Sequence, residues 1–268
     1  MATEPDLDHL AVAADSAWDL WSRYGGDLGG RYVGGGPTAG FHWSQARFAG
    51  GMKIEMLEPM NVEEFDFLRR FLDHSGPGPH HITFKVPDLA AKLDELAEVG
   101  VEIVGVNLDS ETWKECFLHP RSAHGIVVQV AQEGDEDGPI LDDDAGMPPG
   151  RNGAPAHLVR LEHLVADLDG ALSLFTGPLA GEITDRGAGP DGSWVDLRWP
   201  GPGRIRLLTP TDGPAADWLG HRPGRLHHVT FGIDDPAAVT DAVPGPEPDT
   251  WIIDPDRNRG VGLRLIPR

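Results

Sequence analysis

A short aliphatic stretch led by histidine recurs four times along this chain, so any fold for it must house four copies of one strand. The copies are His9-Leu10-Ala11-Val12-Ala13, His81-Ile82-Thr83-Phe84-Lys85-Val86, His163-Leu164-Val165-Ala166 and His228-Val229-Thr230-Phe231-Gly232-Ile233. Each reads as a short buried strand. Amphipathic stretches follow the first three at Ser16 to Tyr24, Leu89 to Glu98 and Leu168 to Phe175, and each predicts a short helix. The stretch after the fourth, Pro236 to Val243, is a weaker match. Apolar segments broken by Gly and Pro come next, at Gly40 to Leu57, Glu102 to Val130 and Ser193 to Leu208, with hairpin turns expected at Gly50-Gly51 and Pro200-Gly201.

The repeating unit is therefore β-α-β-β-β. The fourth copy is trimmed, with clear strands only at Trp251-Ile252-Ile253 and Gly260 to Ile266. The expected fold is α+β, with four such units forming two paired-unit domains of curved mixed sheets over residues 1–132 and 157–268. Between them, residues 133–156 carry Glu133, Asp135, Glu136, Asp137, Asp142, Asp143 and Asp144, then Met147-Pro148-Pro149-Gly150. A segment so acidic and so poor in aromatic residues has little to bury and is expected to be a linker.

A metal site needs donors that converge, and the strand ends supply them. Glu55 interrupts the apolar run Lys53-Ile54-Glu55-Met56-Leu57, and Gln129 interrupts Gly125-Ile126-Val127-Val128-Gln129-Val130. With the strand-opening His9 and His81 they make a set of two imidazoles, one carboxylate and one amide oxygen. Such a set suits one borderline divalent ion: cobalt, nickel, zinc, manganese or iron. His9 to Glu55 and His81 to Gln129 are 46 and 48 residues apart, the near-equal spacing that two homologous units would produce. In the second half the corresponding positions are His163, Arg206, His228 and Arg264. Guanidinium groups cannot ligate a cation, so that half is expected to lack the metal, its histidines to be structural, and its arginines to bind an anion or form ion pairs.

The 43 acidic residues against 22 basic give a formal net charge of −21, which repels nucleic acid. The lone Cys116 cannot form an internal disulfide, and neither a signal peptide nor a membrane-length apolar run is present, so a cytoplasmic protein with no membrane partner is expected.

The stretches Leu7 to Ala13, Lys53 to Pro59, Gly78-Pro79-His80-His81-Ile82-Thr83-Phe84 and Phe117-Leu118-His119-Pro120-Arg121-Ser122-Ala123-His124-Gly125 to Gln129 resemble the vicinal-oxygen-chelate superfamily. That superfamily includes glyoxalase I, extradiol dioxygenases and methylmalonyl-CoA epimerase, and residues 6–132 most resemble the epimerase group. The resemblance implies His9, Glu55, His81 and Gln129 as ligands and a divalent-metal-dependent isomerase or lyase that stabilises a chelated enolate. Its substrate would be a small molecule with adjacent oxygens, and a homodimer is compatible with the sequence.

Such epimerases use two carboxylate bases. Here the last ligand is the neutral Gln129, and Gly36-Pro37-Thr38-Ala39-Gly40 holds no carboxylate where the second base is expected. Glu55 is then the candidate base, with His42 or His119 as the second catalytic group. His119 and Arg121 either neutralise an anionic substrate group or simply form a turn. The alternatives are an extradiol-type Fe(II) dioxygenase, for which two histidines and one carboxylate suffice, and a non-catalytic binding protein with Trp18, Trp21 and Trp43 lining a cavity. Gly34-Gly35-Gly36 reads as a loop or lid, and His74, His124, His157 and His221 as solvated.

Overall fold

The computed structural model describes residues 4–134, 154–189 and 191–268. The first repeat runs β1 (Asp6–Ala13), α1 (Ala17–Trp21) continuing as a π-helical turn (Ser22–Asp27), then β2 (Arg31–Pro37), β3 (Phe41–Arg47) and β4 (Lys53–Pro59). Helix α2 (Phe67–Ser75) leads to the second: β5 (Gly78–Lys85), α3 (Leu89–Glu98), β6 (Ile103–Asn107), β7 (Trp113–Leu118) and β8 (Val127–Glu133). The third comprises β9 (His157–Val165), α4 (Leu168–Thr176), β10 (Glu182–Gly189), β11 (Gly192–Arg198) and β12 (Arg204–Pro210), and is followed by α5 (Gly213–Leu219). The fourth has β13 (Gly224–Ile233), a 3-10 turn (Pro236–Ala238), β14 (Val243–Pro244), β15 (Trp251–Ile253) and β16 (Gly262–Pro267). Four β-α-β-β-β repeats are present, and the fourth is trimmed as its sequence implied.

The strands form two eight-stranded mixed sheets with one topology, β2-β3-β4-β1-β5-β8-β7-β6 and β10-β11-β12-β9-β13-β16-β15-β14. Hairpins pair antiparallel, as in β3 with β4 and β7 with β8, while β5 lies parallel to β8 and β13 to β16. The helix starts are set locally. The side chains of Ser16, Asp88 and Asp167 accept backbone N–H bonds from Trp18, Ala91 and Gly170, which satisfies amides that an α-helix leaves unpaired at its N-terminus.

Packing gathers the described residues into two compact units, each discontinuous in sequence. One draws on the described residues within 4–9, 81–134 and 160–227. Its core includes Phe84, whose ring meets Phe175 at 6.2 Å and Trp199 at 5.1 Å. The other draws on residues 10–80, 154–159 and 228–268. There Phe48 meets Phe231 at 4.9 Å, and the buried Arg23 donates to Asn258, Asp241 and the Thr240 carbonyl. In both units two repeats meet through bare backbone: a Cβ on Gly125 would lie 1.9 Å from the Gly224 carbonyl oxygen, and one on Gly260 would lie 1.9 Å from that of Pro77.

Several expectations change. Gly34-Gly35-Gly36 is no lid but part of strand β2, paired with β3. A Cβ on Gly35 would sit 2.6 Å from the Trp43 carbonyl oxygen, so the glycines serve close approach, and the register shift between Tyr32 and Gly34 hides the strand's period. Trp21 is buried at 3% exposure while Trp18 is 43% exposed. His124, expected to be solvated, is half-buried, and its carbonyl oxygen accepts Nε2–H from the buried His163 at 2.7 Å. The acidic linker lies, from 135 to 153, outside the described residues, and Glu133 closes β8.

Two outcomes follow for stability. Phe84→Ala should cost about 3–5 kcal/mol in urea unfolding. Burial also holds His163 down to about 4 from its ordinary 6.5, so the unfolded chain binds an extra proton between those values. Stability should therefore fall as pH drops from 6.5 towards 4, by about 3 kcal/mol from this group, read as the pH dependence of the urea midpoint.

Candidate metal centre

His9, Glu55 and His81 each offer one ligand atom, and these atoms all lie within 4.8 Å of one another. The positions follow from strand alternation, which sends every second side chain to one face. On β5, His81 and Thr83 share a face, and on β8 the parallel register sets Gln129 opposite Thr83. All four ligand candidates are at most 9% exposed.

Each donor is held by a partner. His9 Nδ1 is 2.7 Å from Asp8 Oδ2, which leaves Nε2 as the ligand atom, and the His9 and His81 rings meet edge to face at 5.9 Å. Gln45 on β3 donates its amide to Glu55 Oε1 at 3.1 Å, fixing that carboxylate oxygen. Gln129 Nε2 donates to Glu115 Oε2 at 2.6 Å, while Gln129 Oε1 accepts from the Thr83 hydroxyl at 2.6 Å. That hydroxyl lies 2.9 Å from His9 Nε2, so the amide oxygen is one hydroxyl away from the imidazoles.

This donor set fits a divalent ion. Atoms bound at about 2.0–2.2 Å to one ion are at most about 4.4 Å apart, close to the spacing present. Two neutral imidazoles, one carboxylate and one amide oxygen match zinc, cobalt, nickel, manganese or iron, and partnered burial of such groups is otherwise costly.

The proposed second base is placed elsewhere. Gln45 opposes Glu55 across β3 and β4 and bonds to it, so Trp43 and Phe41 share that face. His42 stands an odd number of residues from Gln45 in an unbroken register and projects from the other face. His119 caps the turn after β7: its Nδ1 accepts from the Arg121 amide at 3.2 Å and lies 3.8 Å from Glu102. The turn reading of His119-Pro120-Arg121-Ser122 is thus the one the geometry carries. Beside Glu55, Leu57, Ala11 and Ala13 pack with Leu68 and Leu72 of α2 and with Phe41, Trp43 and Phe71, making an apolar wall. Burial holds the adjacent His80 down to about 4, hence neutral near pH 7.

Sequence reading missed Asp8, Gln45, Thr83 and Glu115. Alternation alone points to Thr83, two residues beyond His81, whereas Gln45 and Glu115 lie in strands with other polar residues and carry no such signal.

The second sheet repeats the frame with other chemistry. Asp196 opposes Arg206 as Gln45 opposes Glu55, and Arg264 opposes Thr230 as Gln129 opposes Thr83. Arg206 makes two 2.7 Å bonds to Asp196 and stacks 4.0 Å over Trp194, and Arg264 lies 3.5 Å from Glu247, so both form ion pairs. The counterpart of His9 is corrected. His9 and His81 precede the helix caps Ser16 and Asp88 by seven residues, and the same step back from Asp167 reaches Arg160, not His163. Glu162, His227 and His228 form another group with ligand atoms within 4.8 Å. Glu162 already pairs with His227 at 3.0 Å and acts electrostatically on Arg206, whose guanidinium opposes a cation there.

A family model described as the glyoxalase/bleomycin resistance protein/dioxygenase superfamily matches residues 8–142. The Bacillus subtilis protein YqjC is 29% identical over 134 residues, 48% of this chain and 94% of that protein. The ethylmalonyl-CoA/methylmalonyl-CoA epimerase of Cereibacter sphaeroides is 29% identical over 132 residues, 47% of this chain and 96% of that one. Among solved structures, a variant of 4-hydroxymandelate synthase from Streptomyces coelicolor superposes with a TM-score of 0.67 over 99% of this chain and 93% of that one. At 11% identity that likeness concerns the fold. No helix among the described residues is long and apolar enough to cross a membrane.

Metal analysis of the purified chain should find about one equivalent of divalent ion, and almost none in a His9→Ala, His81→Ala double variant. Equal metal in both would place any ion elsewhere.

Proposed function

The chain belongs to the glyoxalase/bleomycin resistance protein/dioxygenase superfamily, and on that footing we propose that it is a divalent-metal-dependent isomerase or lyase. Its substrate is a small molecule that presents two adjacent oxygens to the ion. The observation that carries this reading is the convergence of His9, Glu55 and His81 ligand atoms within 4.8 Å at a buried site. The relative named as an epimerase supports the reaction class. We place Gln129 as the fourth ligand, and the domain holding these residues within 1–132.

A bound divalent ion supplies positive charge that lowers the cost of a negative charge on the substrate oxygens. The chain's own groups do the rest. His9 and His81 hold the ion as neutral donors, with Asp8 orienting His9. Glu55 is the one carboxylate of the set and the group that takes and returns the substrate proton; its bond from Gln45 keeps one oxygen fixed during the exchange. Leu57, Trp43 and Phe41 shield that proton from water. With His42 on the far face of β3, Glu55 acts as a single base.

A second reading has its own observation. Two histidines and one carboxylate are also the ligand set of non-haem Fe(II) oxygenases, which need no second base.

The two separate in one experiment. The cobalt-loaded chain, given methylmalonyl-CoA in D2O, should exchange the α-proton, followed by NMR, and Glu55→Gln should slow the exchange at least about 100-fold. An iron-loaded chain that consumes dioxygen with a catechol, while the cobalt form exchanges nothing, would instead establish the oxygenase.

A further inference from the structure

We propose that Glu115 is a positioning residue for the metal centre, holding the Gln129 amide so that only its oxygen can face the ion. This rests on the metal reading above. Register places Glu115, Phe117 and Gln129 on one face, with Phe117 directly opposite Gln129 and Glu115 opposite Ala131. Gln129 Nε2 donates to Glu115 Oε2 at 2.6 Å, and the same oxygen accepts from the Trp113 indole at 3.1 Å.

An ionised carboxylate only accepts hydrogen bonds, so it can be matched by the NH2 end of the amide and not by its oxygen. The two ends of an amide are almost equal in size, and sterics alone do not choose between them. A reversed Gln129 would turn N–H bonds towards the cation, where they cannot ligate. Glu115 removes that alternative. On the opposite side the Gln129 oxygen accepts from Thr83, whose hydroxyl is 2.9 Å from His9 Nε2, so the oriented end is the one facing the imidazoles. The indole bond is the longer of the two bonds to Glu115 Oε2, 3.1 Å against 2.6 Å. The carboxylate charge that many metal sites place directly on the ion is here set one residue further out, behind a neutral ligand.

The pairing makes the two positions interdependent. A carboxylate at 129 beside Glu115 would face a second anion with no donor between them. With glutamine at 115, the donor and acceptor simply change places.

The test is Co²⁺ affinity of the full chain by calorimetry, with the cobalt absorption spectrum as a readout of ligand geometry, on wild type, Glu115→Gln, Gln129→Glu and the double variant. Glu115→Gln should weaken binding about tenfold or more and alter the spectrum. The effect of Gln129→Glu should be at least about tenfold more favourable in the Glu115→Gln background than alone. Equal effects in both backgrounds, or Glu115→Gln with wild-type affinity, would overturn the role while leaving the metal site intact. Wild type that binds no cobalt would overturn the metal reading and this proposal together. Trp113→Phe, which keeps the carboxylate, should stay within a few-fold of wild type. A loss as large as that of Glu115→Gln would assign the effect to packing. Should Glu115→Gln fail to fold, a folded, cobalt-binding double variant sustains the pairing and an unfolded one refutes it.

Discussion

Burying polar donors inside a sheet is the constraint on which the rest of this site depends. Two imidazoles, a carboxylate and an amide at most 9% exposed would each cost several kcal/mol if left without partners. The surrounding sequence answers that cost strand by strand: Asp8 beside His9, Gln45 opposite Glu55, Thr83 between His9 and Gln129, and Glu115 behind Gln129. These partners also set direction. A ligand atom is useful only when its lone pair is aimed, and here the aiming is done by neighbours that are themselves tied to the sheet.

Alternation decided which residues could be read from sequence and which could not. His9, Glu55, His81 and Gln129 stand at polar breaks in apolar strands, and their near-equal spacing reflects repeats of one length. The helix over Leu89–Glu98 was legible for the same reason, with an Asp cap ahead of an amphipathic turn. His42 was misleading because proximity in sequence says nothing about face until the register with Gln45 and Glu55 is known. Strand β2 was hidden because its glycines answer to the Trp43 backbone, a contact across strands that no local propensity encodes. Helices α2 and α5 lie outside the repeat, so the pattern that found the others passed over them.

The second sheet carries the same frame with other side chains. Arg206 takes the place of Glu55 and Asp196 that of Gln45, and the pair closes on itself with two short bonds under the Trp194 ring. The apolar wall persists, with Leu164, Leu208, Ala215 and Leu219 packed against Trp194 and Trp218. One topology thus carries a candidate donor set in one sheet and an arginine–carboxylate pair in the other, and the difference resides in a few side chains rather than in topology.

The bare-backbone contacts bear on how such a chain could be divided. Gly125 against Gly224 and Gly260 against Pro77 each join an early repeat to a late one, as do Phe84 against Phe175 and Phe48 against Phe231. A cut between the second and third repeats would leave each eight-stranded sheet within its own fragment, yet break the Ala49–His157 bridge and strip aromatic cover from both. The second half therefore contributes aromatic cover to the first, whatever chemistry its own side chains carry.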